Sequence, residues 1–229
     1  THGGFGNKVK VNIKWVDSEK IDSANVSEIL ADVDGILVPG GFGQRGVEGM
    51  IEAIHYARVN GVPYLGICLG MQLALVEYAR NVLNYADADS AEFNPQSTHC
   101  VIDLMPEQKN VQQIGGTMRL GKYPCKLLPG TRAAELYGKP LVYERHRHRF
   151  EVNNQYRQQF EKAGIVFSGR SPDDHIVEMM ELPAHPWFLG SQFHPEFKSR
   201  PNRPHPLFRG LVAAAKEFQA KNNEQLKLD

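Results

Sequence analysis

The sequence predicts an α/β fold: an open, mostly parallel sheet flanked by helices, with a short β-hairpin region. Three observations carry this. Gly35-Ile36-Leu37-Val38 and Val62-Pro63-Tyr64-Leu65-Gly66-Ile67 are short, continuous apolar runs, the pattern of strands covered on both faces. Between them, Val47 to Asn60 places Met50, Ile51, Ile54 and Ala57 at amphipathic helical spacing, with Gly61 as the stop. Strand, helix, strand in that order is a βαβ unit, which winds a parallel sheet.

The other elements follow along the chain. Val9 to Trp15 alternates, with Val9, Val11, Ile13 and Trp15 on one side and Lys10, Asn12 and Lys14 on the other. That predicts a half-buried strand near a sheet edge. After Cys68 a helix is expected over Leu69 to Ala79. The stretch from Asn81 to Pro140 is rich in Asn, Asp, Gly and Pro, and its alternating pieces at Cys100–Leu104 and Lys122–Leu127 suggest hairpins. Order returns with a helix at Gln155–Ala163 and strands at Ile165–Ser168, Ile176–Glu181 and Trp187–Phe193. An amphipathic helix, Leu207 to Ala220, comes last, and the polar tail Asn222–Asp229 is expected to fray. No repeat or compositional break divides the chain, so residues 1–229 read as one domain.

Composition narrows the function. Lys+Arg and Asp+Glu both count 26, so a nucleic-acid binder relying on a bulk basic face is disfavoured. Hydrophobic content of 41% and charged content of 23% exclude wholesale disorder. The longest apolar stretch, Val62 to Val76, is broken by Pro63, Gly66, Gly70 and Gln72. It is shorter than the roughly 20 residues a membrane span needs. No secretory h-region opens the sequence. Three cysteines, Cys68, Cys100 and Cys125, form no CxxC pair and fit a reducing compartment.

Four motifs bear chemistry. Gly66-Ile67-Cys68-Leu69-Gly70 joins a buried strand to a helix. It is the cysteine counterpart of the G-x-S-x-G nucleophile elbow, where the tight turn demands glycine on both flanks. The helix N-terminus favours a thiolate and a developing oxyanion. Taken alone, the pentapeptide is equally compatible with a small core cysteine. Phe193-His194-Pro195-Glu196-Phe197 follows an apolar strand, and in extended chain Glu196 lies on the same side as His194 and can orient its ring. Alone, it reads as readily as a surface ion pair. Both motifs end strands, so a Cys-His-Glu triad at one sheet end is geometrically natural.

Pro39-Gly40-Gly41-Phe42-Gly43 offers backbone N–H groups for an oxyanion hole or a phosphate, or is a plain tight turn. It has neither the GK[ST] ending of a P-loop nor the dinucleotide spacing. In Glu144-Arg145-His146-Arg147-His148-Arg149-Phe150, strand alternation puts three arginines on one face and two histidines on the other. With zero net charge a local carboxylate site is preferred over nucleic acid, with a solvated edge strand as the alternative. No second cluster has zinc-type spacing, so no metal is assigned.

Together these residues resemble the class I (triad) glutamine amidotransferases, which carry a PGG loop, a G-x-C-x-G elbow and a late H-P-E in this order. The finer resemblance is to the amidotransferase domains of the CTP synthase family. It rests on Pro39–Gly43 with Arg45-Gly46, Gly66–Gln72, Gly115-Gly116-Thr117-Met118-Arg119-Leu120-Gly121, Glu144–Asn153 and Phe193–Phe208. GGTMRLG and RHRHRFEVN are specific to that family within the class.

The resemblance implies a flavodoxin-like fold in which Cys68 is the nucleophile and His194 and Glu196 complete the triad. It implies oxyanion-hole amides from Gly41 and Leu69, and glutamine-holding roles for Gly70, Met71, Gln72, Glu92 and Arg149. Arg149 would pair with the substrate α-carboxylate and Glu92 with its α-ammonium. The implied reaction is hydrolysis of L-glutamine to glutamate and ammonia through a thioester, with no cofactor in this domain. The ammonia would serve an amidoligase domain earlier in the same polypeptide. That domain uses ATP and Mg2+ to convert UTP to CTP, in a cytoplasmic homotetramer with no nucleic-acid or membrane partner. Family members also open this domain with a strand and a helix ahead of His2-Gly3-Gly4. Neither those elements nor the amidoligase domain is in this sequence. Another class I enzyme, such as GMP synthase, is disfavoured by GGTMRLG and RHRHRF. A non-catalytic module is disfavoured by intact Cys68, His194 and Glu196.

Overall fold

The computed structural model describes residues 1–104 and 118–225. The chain begins with a short helix, α1 (His2–Asn7), and continues through α2 (Val26–Ile29) to strand β1 (Ile36–Val38). The expected βαβ unit follows: β1, helix α3 (Val47–Val59) and β2 (Tyr64–Ile67), with β1 and β2 parallel. Helix α4 (Leu69–Asn81) leaves β2 through Cys68.

Two short strands come next, β3 (Asp89–Ser90) and β4 (Cys100–Leu104), then β5 (Arg119–Leu127), helix α5 (Arg132–Tyr137), β6 (Leu141–His148) and β7 (Phe150–Val152). Helix α6 (Arg157–Lys162) precedes β8 (Val166–Arg170), β9 (Val177–Glu181) and β10 (Phe188–Ser191). The last element is α7 (Pro206–Gln225), longer than the sequence suggests. Part of the tail expected to fray is thus helical, and residues 226–229 lie outside the described residues.

Seven strands form the main sheet in the order β1-β2-β10-β9-β8-β5-β6, and β3-β4-β7 form a small second sheet. Here the expectation of a mostly parallel sheet needs correction. Only the β1-β2 and β2-β10 pairings are parallel; β10-β9, β9-β8, β8-β5 and β5-β6 are antiparallel. An apolar run reports burial on both faces but not strand direction. The short links from Arg170 to Val177 and from Glu181 to Phe188 have no room for a crossover, so they can only reverse the chain.

Two further expectations change. The pieces at Cys100–Leu104 and Lys122–Leu127 do not form local hairpins. β5 pairs with β6 across helix α5, and β4 lies between β3 and β7. Val9 to Trp15 is not a strand, and Trp15 is 89% exposed. Alternation puts side chains on two sides, but a strand also needs a neighbouring ladder, which this segment lacks here.

Both faces of the central strands are covered. Tyr64 and Phe188 stack at 4.4 Å on the α3/α4 side, where Ile54, Leu73 and Leu75 are fully buried. Leu65, Ile67 and Leu189 join Leu207, Trp187 and Phe193 in a second cluster, with Phe208 and Leu211 of α7 against it. Each fully buried side chain of this size contributes about 1.5–3 kcal/mol, so these two clusters clamp the strands that carry Cys68 and His194.

Candidate active site

The elbow forms as its glycines require. Cys68 sits at φ 52°, ψ −101°, a conformation that a side chain rarely adopts. A Cβ on Gly66 would lie 2.6 Å from the Gly70 carbonyl, and one on Gly70 would lie 2.2 Å from the Val38 oxygen. Only glycine lets β2, the turn and the first turn of α4 approach β1 this closely. The Cys68 amide donates to Ser191 O at 2.6 Å, tying the elbow to the end of β10.

The Cys68 side chain is nearly buried. Burial pushes its thiol up to about 12, and Glu151, Glu196 and Glu92 push the same way. A hydrogen bond from the Leu69 backbone N–H works against them, as expected at a helix N-terminus. Left to itself the resting side chain is a neutral thiol, so a base must take its proton.

His194 lies close by, beside the Pro39–Gly43 glycine loop. Its Nδ1 and Glu196 Oε1 are 2.6 Å apart, and Phe197 stacks on the ring at 5.2 Å. His194 itself is extended, and Pro195–Phe197 form one 3-10 turn that brings the Glu196 carboxylate back to the ring. The His194 amide donates to Arg145 O at 2.8 Å, fastening this loop to β6. The buried Nε2 has no hydrogen-bond partner among the described residues.

The Pro39–Gly43 loop packs against both Cys68 and His194. A Cβ placed on Gly40 would be 2.7 Å from His194 Cε1 and 3.4 Å from Cys68 Cβ. One on Gly41 would be 3.2 Å from Leu69 Cδ2, so the two backbone segments expected to form an oxyanion hole are neighbours. Glu92 Oε1 accepts the Gly43 N–H at 3.1 Å and braces the loop.

Gly41, Phe42, Cys68, Gln72, Glu92, Met118, His148, Arg149 and Phe150 line one cleft of about 110 Å³. Of the glutamine-holding residues expected from the sequence, Gln72, Glu92 and Arg149 are therefore brought together. Gly70 and Met71 are not on the lining: Gly70 packs on the Val38 carbonyl, and Met71 is fully buried against Gly190.

The Glu144–Phe150 motif is a strand with the expected alternation over most of its length. Glu144, His146 and His148 are buried, while Arg145 and Arg147 are exposed. The third arginine departs from the pattern. A bend at Arg149 separates β6 from β7, and Arg149 lines the cleft instead of sharing the outer face. Behind the strand, His146 Nδ1 and His148 Nε2 are 2.9 Å apart. Arg119 reaches Glu178 at 2.7 Å, and His146 Nε2 lies 3.4 Å from the same carboxylate.

Sequence reasoning missed Gln192, Glu151 and Glu178. Gln192 Nε2 donates to Cys68 Sγ at 3.7 Å. The available signal was a polar side chain within a mainly apolar run: Gln192 within Trp187–Phe193, and Glu178 within Ile176–Glu181. Among the described residues, no cluster of three or more His, Cys, Asp or Glu side chains is arranged to hold a metal ion. No described helix is long and apolar enough to cross a membrane.

A cysteine on a strained strand–helix elbow, with a His–Glu pair beside the same glycine loop, has the arrangement of thiol-nucleophile sites. The family model for glutamine amidotransferase class-I matches residues 2–214, and the chain belongs to that family. Within it, the similarity is to CTP synthase. The chain is 61% identical over 214 residues to the CTP synthase of Carboxydothermus hydrogenoformans, covering 93% of this chain and 40% of that protein. It is 57% identical over 216 residues to the Bacillus subtilis enzyme, covering 94% and 40%. The chain thus spans about 40% of the length of these curated relatives. Among solved structures, the Trypanosoma brucei CTPS glutaminase domain with bound acivicin superposes with TM-score 0.90 at 40% identity. That match covers 94% of this chain and 84% of the other.

Proposed function

We propose that this chain hydrolyses L-glutamine to glutamate and ammonia as the amidotransferase part of a CTP synthase. The observation that carries the proposal is that Cys68 and the His194–Glu196 pair both meet the Gly40 backbone, with Cys68 and Gly41 on the wall of one cleft. The family membership and the likeness to the trypanosomal glutaminase domain support it.

His194 Nε2 takes the Cys68 proton, with Glu196 on Nδ1 fixing the ring and its tautomer. The thiolate attacks the side-chain amide carbon of glutamine, and its C=O becomes an oxyanion beside the Gly41 and Leu69 amides. Collapse breaks the C–N bond, His194 returns its proton to the departing nitrogen, and ammonia leaves a γ-glutamyl thioester on Cys68. Water then gives a proton to His194 and attacks the thioester carbon. Glutamate departs, and the proton returns to Cys68. Arg149 would pair with the substrate α-carboxylate and Glu92 with its α-ammonium, with Gln72 beside them in the cleft. Glu92 already braces the glycine loop, so substrate binding and oxyanion-hole geometry share one side chain.

The ammonia would serve an amidoligase domain of the same polypeptide. There ATP and Mg2+ would activate UTP for conversion to CTP in a tetrameric, cytoplasmic enzyme. No step of the hydrolysis is routed through those groups.

The test is ammonia release from glutamine by wild type and Cys68→Ser, alone and with an added CTP synthase amidoligase domain. The expected loss in Cys68→Ser is at least about 10³-fold, the scale seen when a nucleophile is removed. Equal rates, or a reconstituted mixture that makes no glutamine-dependent CTP, would overturn the proposal.

A further inference from the structure

We propose that Gln192 is a catalytic residue: its side-chain N–H holds the sulfur of Cys68 as thiolate, and Gln72 sets the direction in which that N–H points. This deepens the glutaminase reading and rests on Cys68 being the nucleophile.

The argument is one of hydrogen-bond polarity. The Phe150 carbonyl oxygen can only accept, so the atom facing it at 2.9 Å must be Nε2 of Gln72. That amino group has a second proton, which it gives to Gln192 Oε1 at 3.1 Å. With its oxygen so engaged, Gln192 must turn its own Nε2 the other way, and it meets Cys68 Sγ at 3.7 Å. Turning over either amide would set like groups against each other. Gln192 is fully buried and Gln72 nearly so, so water offers no easy alternative partner. The Gln192 backbone is also held, with its amide donating to Glu178 O at 2.8 Å.

A neutral thiol gains little from such a donor. A thiolate gains much more, because hydrogen bonds to charged acceptors are roughly twice as strong. Gln192 therefore favours the ionised form, together with the Leu69 amide, against burial and three nearby carboxylates. The relay begins at Phe150, next to Arg149 on the cleft wall. It mechanically joins the strand that would hold the substrate α-carboxylate to the nucleophile. Both protons of the Gln72 amino group are committed, so the group it can present to glutamine is its carbonyl oxygen.

The experiment measures carboxamidomethylation of Cys68 by iodoacetamide between pH 6 and 9, resolved peptide by peptide so that Cys100 and Cys125 do not interfere. Below the thiol midpoint, the rate follows the thiolate fraction. Losing one charge-assisted donor corresponds to about one unit in pKa, so Gln192→Met should react about tenfold more slowly at each pH. Gln192→Glu keeps the volume and replaces the donor with an acceptor, so it should be slower still. Gln72→Met frees the Gln192 amide and should move the rate the same way by a smaller factor. It decides the matter if Gln192→Met fails to fold.

Wild-type rates in folded Gln192→Met or Gln72→Met would overturn the proposal. A drop confined to Gln192→Glu would also overturn it, since that reports added charge and not a lost donor. Ammonia release by the wild type is measured alongside. Slowed alkylation with no glutamine hydrolysis would sink the glutaminase reading alone. Hydrolysis with unchanged alkylation would sink the role of Gln192 alone.

Discussion

Replacing Gly70 with alanine sets two physical effects of opposite sign against each other. Alanine is favoured over glycine within a helix by up to about 1 kcal/mol, so α4 taken alone should gain. The added Cβ, however, would lie 2.2 Å from Val38 O, 3.0 Å from Val38 C and 3.1 Å from Val38 Cβ. Carbon–oxygen contacts settle near 3.3 Å, so the start of α4 and the β1 strand must separate by about 1 Å. Neither can yield cheaply, because β1 is paired to β2 in register and α4 is buried along almost its whole length. Overpacking of this kind costs about 1–3 kcal/mol, and only its lower end would be offset by propensity. For a net loss near 1 kcal/mol in a chain of this size, the melting temperature should fall by about 2–4 °C. The displacement also moves Cys68 relative to His194, and a 1 Å misplacement costs about 10²-fold in rate. Thermal melting followed by circular dichroism reads the first effect, and ammonia release reads the second. A Gly70→Ala protein that melts at or above the wild-type temperature with full activity would show that the elbow is not set by this contact.

Two further perturbations test other parts of the structure. Glu77 of α4 is fully buried and receives Arg58 through two nitrogens at 2.8 Å, so Arg58→Met leaves a buried carboxylate with His55 and Asn81 but without its guanidinium. The expected loss is about 3 kcal/mol in urea unfolding, and a change below about 0.5 kcal/mol would contradict the pairing. Around β6, burial pushes His146 down to about 2 and His148 down to about 3. Burial outweighs Arg119 to push Glu178 up to about 7 and raises Glu151 strongly. The depressed imidazoles contribute stability above the unfolded value near 6.5, and that contribution is lost as pH falls. A raised carboxyl contributes stability below its unfolded value near 4.5, and that contribution is lost as pH rises toward 7. The two trends oppose each other between those limits. Glu178→Gln removes one stabilising proton uptake, so its stability gap to wild type should widen by about 1 kcal/mol per unit on going from pH 6.5 to 5. A gap that stays level or closes would contradict the assignment.

What could be read from the sequence was local. The Cys68 elbow was legible because two glycines, an apolar run and a following helix all lie within a few residues, and the turn admits little else. The His194–Glu196 pairing was legible for the same reason, although a 3-10 turn achieves it. Features that need a distant partner were hidden. Val9–Trp15 has the period of a strand, but period says nothing about whether a ladder is alongside. The antiparallel half of the sheet was invisible because apolar runs carry no direction. The Phe150–Gln72–Gln192–Cys68 relay joins β7, α4 with its N-cap Cys68 and the segment after β10, and no spacing rule connects those three parts of the chain.

The order of strands has a consequence for how the domain tolerates change. β2 delivers Cys68 and β10 delivers His194, and the two are adjacent in one parallel ladder, Ile67 opposite Ser191. The separation of nucleophile and base is therefore set by one inter-strand spacing and not by the long stretch of chain between them. Segments that loop out between α4 and β10 can be lengthened, shortened or exchanged without altering that separation, provided the wall residues keep their places. Under the proposed chemistry, two neighbouring strands carry the reacting groups and leave the intervening chain free to specialise in what the cleft admits.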